Sequence, residues 1–105
     1  MTVREAIALA ASTAITDVDG IAGPAHGPDG RYGTPLGAGR IPGVVAAAAA
    51  GGGYDVTLYV IARPVPLSEL GKRLRARAVT AVAEAGFEPD LAGVRVVVVD
   101  IAEPA

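Results

Sequence analysis

Residues 54–63 read Tyr-Asp-Val-Thr-Leu-Tyr-Val-Ile-Ala-Arg and carry the clearest period-two pattern in the chain. Successive side chains of a strand point to opposite faces of its sheet. One face would therefore carry Val56, Leu58, Val60 and Ala62. The other would carry Asp55, Thr57, Tyr59, Ile61 and Arg63. The pattern predicts a β-strand with one face in the core.

The residues just before this strand predict its hairpin partner. Residues 44–50 are apolar, and three glycines at positions 51–53 can supply the positive φ angles of a tight turn. Alanine favours helix, and residues 46–50 are all alanine. The glycines and the neighbouring strand nevertheless favour a β-hairpin.

The first twenty residues predict a helix that begins at Val3. Thr2 and Glu5 have the spacing of a capping box, in which each side chain satisfies a free backbone N–H. An apolar stripe follows at helical spacing, with Val3, Ile7, Ala10 and Ala14 widened by Ala6, Ala11 and Val18. The helix is expected to end between Asp17 and Gly20.

Residues 23–43 are dense in glycine and proline and lack a regular apolar pattern. Neither a helix nor a strand is expected there, and the segment is predicted to be a long loop. Such loops are either functional or disordered in compact domains. Because Leu36 and Ile41 are its only large aliphatic residues, we expect this loop to be flexible.

A second helix and a last strand are predicted after Pro64 and Pro66. The helix begins at Leu67 or Ser68, and Gly86 can end it. Its apolar face is Leu67, Leu70, Gly71, Leu74, Ala78, Val82 and Ala85. Residues 94–101 are rich in valine on both faces, which is typical of a strand.

The predicted fold class is α+β, in two layers, in the order helix, strand, strand, helix, strand. All 105 residues would form one domain, with a three-stranded sheet and two helices on one of its faces. Whether the last strand pairs with the first or the second strand is left open.

Composition excludes several kinds of function. A formal net charge of −2 does not attract phosphate backbones, so a nucleic acid is not an expected partner. The chain has no cysteine, which excludes disulfides and thiolate catalysis. Its beginning has neither a signal-peptide pattern nor a membrane span, so we expect a cytoplasmic protein.

The order of these segments resembles the alkaline shock protein family of bacterial envelope stress response proteins. The likeness lies in the opening Val-x-x-Ala-Ile-x-x-Ala-Ala at residues 3–11, in Val18-Asp19-Gly20-Ile21, in the strand at residues 54–61, and in the closing strand at residues 94–98. The resemblance implies a non-catalytic protein, held near the membrane through a membrane-anchored partner. The alanine-rich strand and the Gly/Pro-rich segment depart from the family's pattern.

No candidate catalytic, cofactor-binding or metal-binding residue is predicted, and no small-molecule substrate. His26 is the only histidine and has no partner at a catalytic spacing. Asp17 and Asp19 lack further oxygen donors nearby and are expected to be solvated. Gly33, Gly37 and Gly39 are not followed by the Lys-Ser/Thr of a phosphate loop.

Two surfaces are candidates for binding other proteins. Four cations, Lys72, Arg73, Arg75 and Arg77, form a possible site for an acidic partner, although helical spacing spreads them around the axis. The face of the sheet away from the helices would carry Tyr59, Ile61, Val97, Val99 and Ile101, opposite an inward set that includes Val94, Val96 and Val98. Such an apolar patch predicts self-association into a homo-oligomer or docking of a partner. The inward and outward sets are interchangeable on the sequence alone.

Two other functions compete with protein binding. Helices on one side of a three-stranded sheet are similar to a KH-like RNA-binding domain, but its GXXG clamp between consecutive helices is missing. A small enzyme would need a nucleophile, a base and a metal or cofactor, which these residues do not assemble.

Overall fold

The computed structural model describes residues 1–103. Its helices and strands are α1 (Val3–Asp17), β1 (Ile21–Pro24), β2 (Gly33–Leu36), β3 (Gly39–Pro42), β4 (Val44–Ala48), β5 (Tyr54–Ala62), α2 (Leu67–Glu84) and β6 (Leu91–Ile101). Short 3-10 turns lie at Pro28–Gly30 and Glu88–Asp90. The α+β class is confirmed. The predicted number of three strands is wrong, because residues 21–42 add three more.

β5 is the central strand of a four-stranded sheet and pairs with each of the other three. β4 lies antiparallel to residues 54–58, and β1 lies antiparallel to residues 60–62 along the same edge of β5. β6 runs parallel to β5 along its opposite edge. The last strand therefore pairs with the second of the two strands of the predicted hairpin.

Tyr59 marks the point where β4 gives way to β1 along this edge. The backbone N of Tyr59 donates to Gly43 O at 2.7 Å, and Tyr59 O accepts from Ala25 N at 2.8 Å. A Cβ at Gly43 would lie 2.6 Å from Pro24 Cβ, and Gly43 has a φ of 76°. Only glycine fits both the left-handed backbone and the close approach of the two strands.

The inward face of β5 and both helices form the core. Val56, Leu58 and Val60 are at most 1% exposed, as the alternation predicts. The buried face of α1 is Ile7, Ala8, Ala11, Ala14 and Ile15, and that of α2 is Leu70, Leu74, Ala78, Ala81 and Val82. The predicted stripe of α1 is therefore partly wrong, since Val3 is 41% exposed. The buried face of α1 is turned slightly away from the predicted stripe. Ala8 and Ala11 are small, so α1 can approach its neighbours closely on this face.

The predicted helix ends are confirmed. Glu5 N donates to Thr2 Oγ1 at 3.1 Å, and Thr2 N donates to Glu5 Oε1 at 2.9 Å, which completes the capping box. The bond from the Thr2 backbone lowers the pKa of Glu5. α2 begins at Leu67, and Gly86 follows its end with a φ of 89°.

Residues 23–43 contain the end of β1 and the whole of β2 and β3, which corrects the expectation of a segment without regular structure. β1 supplies the partner that residues 60–62 of β5 need, and β2 and β3 pair as an antiparallel hairpin. The hairpin inserts Thr34 and Ile41 into the interior, where they are 0% and 4% exposed. Strands of four residues with so few apolar side chains have no periodicity to detect, and tertiary contacts stabilise them instead.

We predict that Leu58→Ala lowers the free energy of unfolding by about 2–5 kcal/mol, because a fully buried side chain leaves a cavity at the centre of the sheet. Leu67→Ala makes the same chemical change at a residue that is 39% exposed and should cost about 0.5 kcal/mol or less. Urea unfolding of the three proteins measures both values. Equal losses in the two variants would contradict this packing.

The flexibility of residues 23–43 stays a prediction, and the hydrogen bonds of the backbone indicate where it should be greatest. We expect fast amide exchange at Asp29, Gly37 and Ala38, in turns. Slower exchange is expected at Ala25 and at Gly43, whose amides donate to Tyr59 O and Tyr32 O. Hydrogen exchange measures this directly. Protection across the whole segment equal to that of residues 94–99 would contradict it.

Candidate interaction surface

The two outer edges of the four-stranded sheet differ, and the edge of β4 is covered by side chains. Thr34 Oγ1 donates to Val44 O at 2.7 Å and accepts from Ala46 N at 3.1 Å. Arg4 Nε donates to Ala46 O at 2.6 Å. Three backbone groups that would otherwise be open to another strand are thereby bonded. Natural proteins commonly block sheet edges against pairing with further chains.

The outer edge of β6 is far more open. Within residues 1–103, the side-chain bonds to this strand's backbone are from Arg75 Nε to Val94 O, at 3.1 Å, and from Ile101 N to Asp100 Oδ1, at 2.8 Å. Its sequence contains neither lysine nor proline, the residues that most often block an edge. β6 thus presents the longest strand of the protein, 11 residues, as an open edge.

A β-bulge in β6 changes which residues share a face. Val60 lies opposite Val98, but Ile61 lies opposite Asp100, so Val99 is an extra residue without a partner in β5. Ile101 then lies opposite Ala62, on the inward side of the sheet. The prediction that Ile101 belongs to the outward patch is therefore wrong, because the bulge reverses the alternation after Val99.

The outward patch is smaller than predicted and is partly covered. Tyr59, Ile61 and Val97 are half-buried. The ring of Tyr32 stacks on that of Tyr59, with centroids 4.0 Å apart and planes 4° apart. Sequence reasoning missed Tyr32, since it lies in the Gly/Pro-rich segment without any strand pattern around it. Val99 is the most exposed member of the patch, at 46%.

Exposed aliphatic side chains gather at the C-terminal end of β6. Leu67 at the start of α2 is 39% exposed, and Ile101 is 45% exposed. With Val98, Val99 and Asp100 they line a shallow depression of about 340 Å³. A second apolar groove of about 330 Å³ lies between α1 and the β2–β3 hairpin, beside Leu9, Leu36 and Ile41.

The four cations of α2 have different neighbours. Arg77 bonds to Asp17 Oδ2 and Glu84 Oε1, both at 3.1 Å, and these hydrogen bonds, first that to Glu84, raise the pKa of its guanidinium. Arg75 reaches Val94 O, and Lys72 lies 3.7 Å from Glu69. Arg73 is exposed. This arrangement agrees with the predicted spread around the helix, and binding of an acidic partner there stays a prediction.

The polar residues weighed for chemistry lie apart from one another. His26 and Asp19 are exposed, and Asp17 is paired with Arg77. No group of three or more His, Asp or Glu side chains comes together in the part of the chain that the structure describes. Within that part, neither helix combines the length and apolar character needed to cross a bilayer.

No protein-family model, curated protein or solved structure matches this chain. The alkaline shock family therefore remains a prediction that rests on the sequence segments quoted above. The hydrogen bonds within the chain nevertheless distinguish the two sheet edges. Side chains cover the edge of β4, and the edge of β6 is mostly open.

We predict that Thr34→Val lowers the free energy of unfolding by about 1–3 kcal/mol, because the change leaves Val44 O and Ala46 N without their buried partner. Exchange of the Ala46 amide should quicken as well. Thr57→Val, on the outward face of β5, makes the same isosteric change without this pair of bonds and should stay within about 0.5 kcal/mol. Equal stability of all three proteins would show that the hydroxyl does not cover the edge.

Proposed function

We propose that this chain is a non-catalytic protein that acts by binding proteins, beginning with a second copy of itself. The observation that carries the proposal is the uncovered side of β6. There Val99 and Ile101 are nearly half exposed beside a strand edge whose backbone groups are mostly open. Exposed apolar residues next to an open edge favour association, since pairing satisfies the backbone and removes apolar surface from water.

The cellular part of the proposal is an envelope stress response role. We infer a cytoplasmic protein that docks to a membrane-anchored partner and so becomes peripheral to the membrane. The support for this part is the sequence resemblance at the opening helix, at residues 54–61 and at residues 94–98.

The KH-like alternative gains no support from the arrangement of the helices. α1 and α2 are separated by five strands, so they are not the consecutive helices that a GXXG clamp connects. The outward face offers few aromatic rings for base stacking, and one of them, Tyr59, is covered by Tyr32.

We predict that the protein forms dimers or larger oligomers at high micromolar concentration, measured by light scattering. The double variant Val99→Glu with Ile101→Glu should be monomeric with an unchanged circular dichroism spectrum, because charge at these exposed positions beside the open edge opposes burial. Thr13→Glu with Thr80→Glu adds the same charge at exposed helix positions and should leave the oligomer intact.

The same proteins separate the alternatives. The unmodified protein, and not the Val99/Ile101 double variant, should retain a membrane-anchored protein from host membranes. Retention of single-stranded RNA at low salt would instead support the KH-like function. A monomeric protein that retains no partner would refute the proposed function.

A further inference from the structure

We propose that β6 pairs antiparallel with β6 of a second copy, about a two-fold axis at Val97, so that the two sheets become continuous. This inference rests on the proposed self-association and specifies its geometry. Four observations carry it: the open edge, the position of the bulge, the charges on either side of the bulge, and the exposed Ile101.

The backbone of β6 shows which residues face the open edge. Val94 O is bonded by Arg75 of α2, so the backbone of Val94 faces away from β5. Alternation along the strand places Val96 and Val98 on the same edge. Beyond the bulge, Ala102 N donates to Ala62 O at 2.7 Å, so Ile101 is the residue whose backbone faces outward there.

The bulge brings two opposite charges to one face. Arg95 lies opposite Thr57 and Asp100 lies opposite Ile61, both on the outward face. They are five positions apart in the chain, a spacing that would place them on opposite faces of a regular strand. Their partners in β5, Thr57 and Ile61, each lie two positions from Tyr59, which is the partner of Val97. Arg95 and Asp100 are therefore placed symmetrically about Val97. A two-fold axis at Val97 therefore places Arg95 opposite Asp100 of the second copy. By symmetry, Asp100 also lies opposite Arg95 of the second copy, so two ion pairs form.

The same axis also aligns Val96, Val97 and Ile101 with residues of the second copy on the same face. Val96 meets Val98 of the second copy, and both have backbone groups on the open edge and inward side chains. Val97 meets its own copy as a pair without hydrogen bonds, in which side chains are closest. Ile101 meets Val94 of the second copy on the inward side, which covers an exposed aliphatic residue. Because Ile101 N already donates to Asp100 Oδ1, this pair has one bond, from Val94 N to Ile101 O.

The existing contacts at the edge are compatible with this pairing. Val94 O keeps its bond to Arg75 and Ile101 N keeps its bond to Asp100, so neither group needs a partner in the second copy. Asp100 uses Oδ1 for Ile101 N and keeps Oδ2 for Arg95 of the second copy. β4 offers no equivalent edge, because Thr34 and Arg4 bond its outward groups.

The first test reverses the charges and measures the dimerisation constant by analytical ultracentrifugation. Arg95→Asp replaces each of the two ion pairs with two carboxylates that repel each other. We expect the dissociation constant of the dimer to rise by about tenfold or more. The double variant Arg95→Asp with Asp100→Arg exchanges the charges and should regain a dissociation constant within about threefold of the original. Arg63→Asp changes the same charge at the exposed end of the outward face and should have no effect.

The second test uses the absence of native cysteine. In the proposed pairing the two Val97 Cα atoms are about 4.5 Å apart, a distance that a disulfide can span. Val97→Cys should therefore form a covalent dimer under mild oxidation. Ile61→Cys should not, because the two β6 strands lie between Ile61 and its copy. This readout does not depend on the charged residues.

The outcomes separate the inference from the proposed function. A dimer that Arg95→Asp weakens, that the exchanged pair restores and that Val97→Cys links would support the pairing. A dimer indifferent to charge reversal, or linked through Ile61→Cys instead of Val97→Cys, would overturn it and leave self-association standing. A failure of the folded exchanged variant to dimerise would also overturn it. A monomer at high micromolar concentration would refute the pairing and self-association together.

Discussion

All pairing in the larger sheet passes through the backbone of β5. The bonds of Tyr59, and of Arg63 just after the strand, show that odd-numbered positions face β4 and then β1. The bond from Ala102 N to Ala62 O shows that even-numbered residues face β6. A nine-residue strand thus holds three others in place. Both helices also pack on its inward side chains. The sheet and the core therefore depend on the same strand.

Two strands along one edge of β5 require a break between them, and the Gly/Pro-rich segment provides it. Gly43 lets the chain turn where Pro24 and Tyr59 leave no room for a side chain. The β2–β3 hairpin then lies beyond β4, where Thr34 acts as a substitute for a neighbouring strand. A segment that composition marks as a loop therefore completes the sheet on one side and closes its edge.

The opposite side of the sheet has no such cover within residues 1–103, and this difference is the structural basis of the proposed association. The bulge at Val99 is central to it. One extra residue turns Ile101 inward and Asp100 outward, so that Asp100 shares a face with Arg95. Charges of opposite sign placed symmetrically about Val97 are complementary to their own copy, and this favours a second copy over an unrelated strand.

The sequence by itself determined the helices, the β4–β5 hairpin and the inward face of β5, because each depends on local patterns: caps, turn glycines and alternation in the printed residues. It also indicated that His26, Asp17 and Asp19 have no neighbours in the chain at the spacing of a catalytic or metal-binding motif. It did not determine the partners of β5, the strands between residues 21 and 42, or the face on which Ile101 lies. Strand partners are chosen by contacts between residues far apart in the chain, and four-residue strands are too short to show a period. A bulge arises only when two strands are held in register, so its reversal of Asp100 and Ile101 was decided by the tertiary structure.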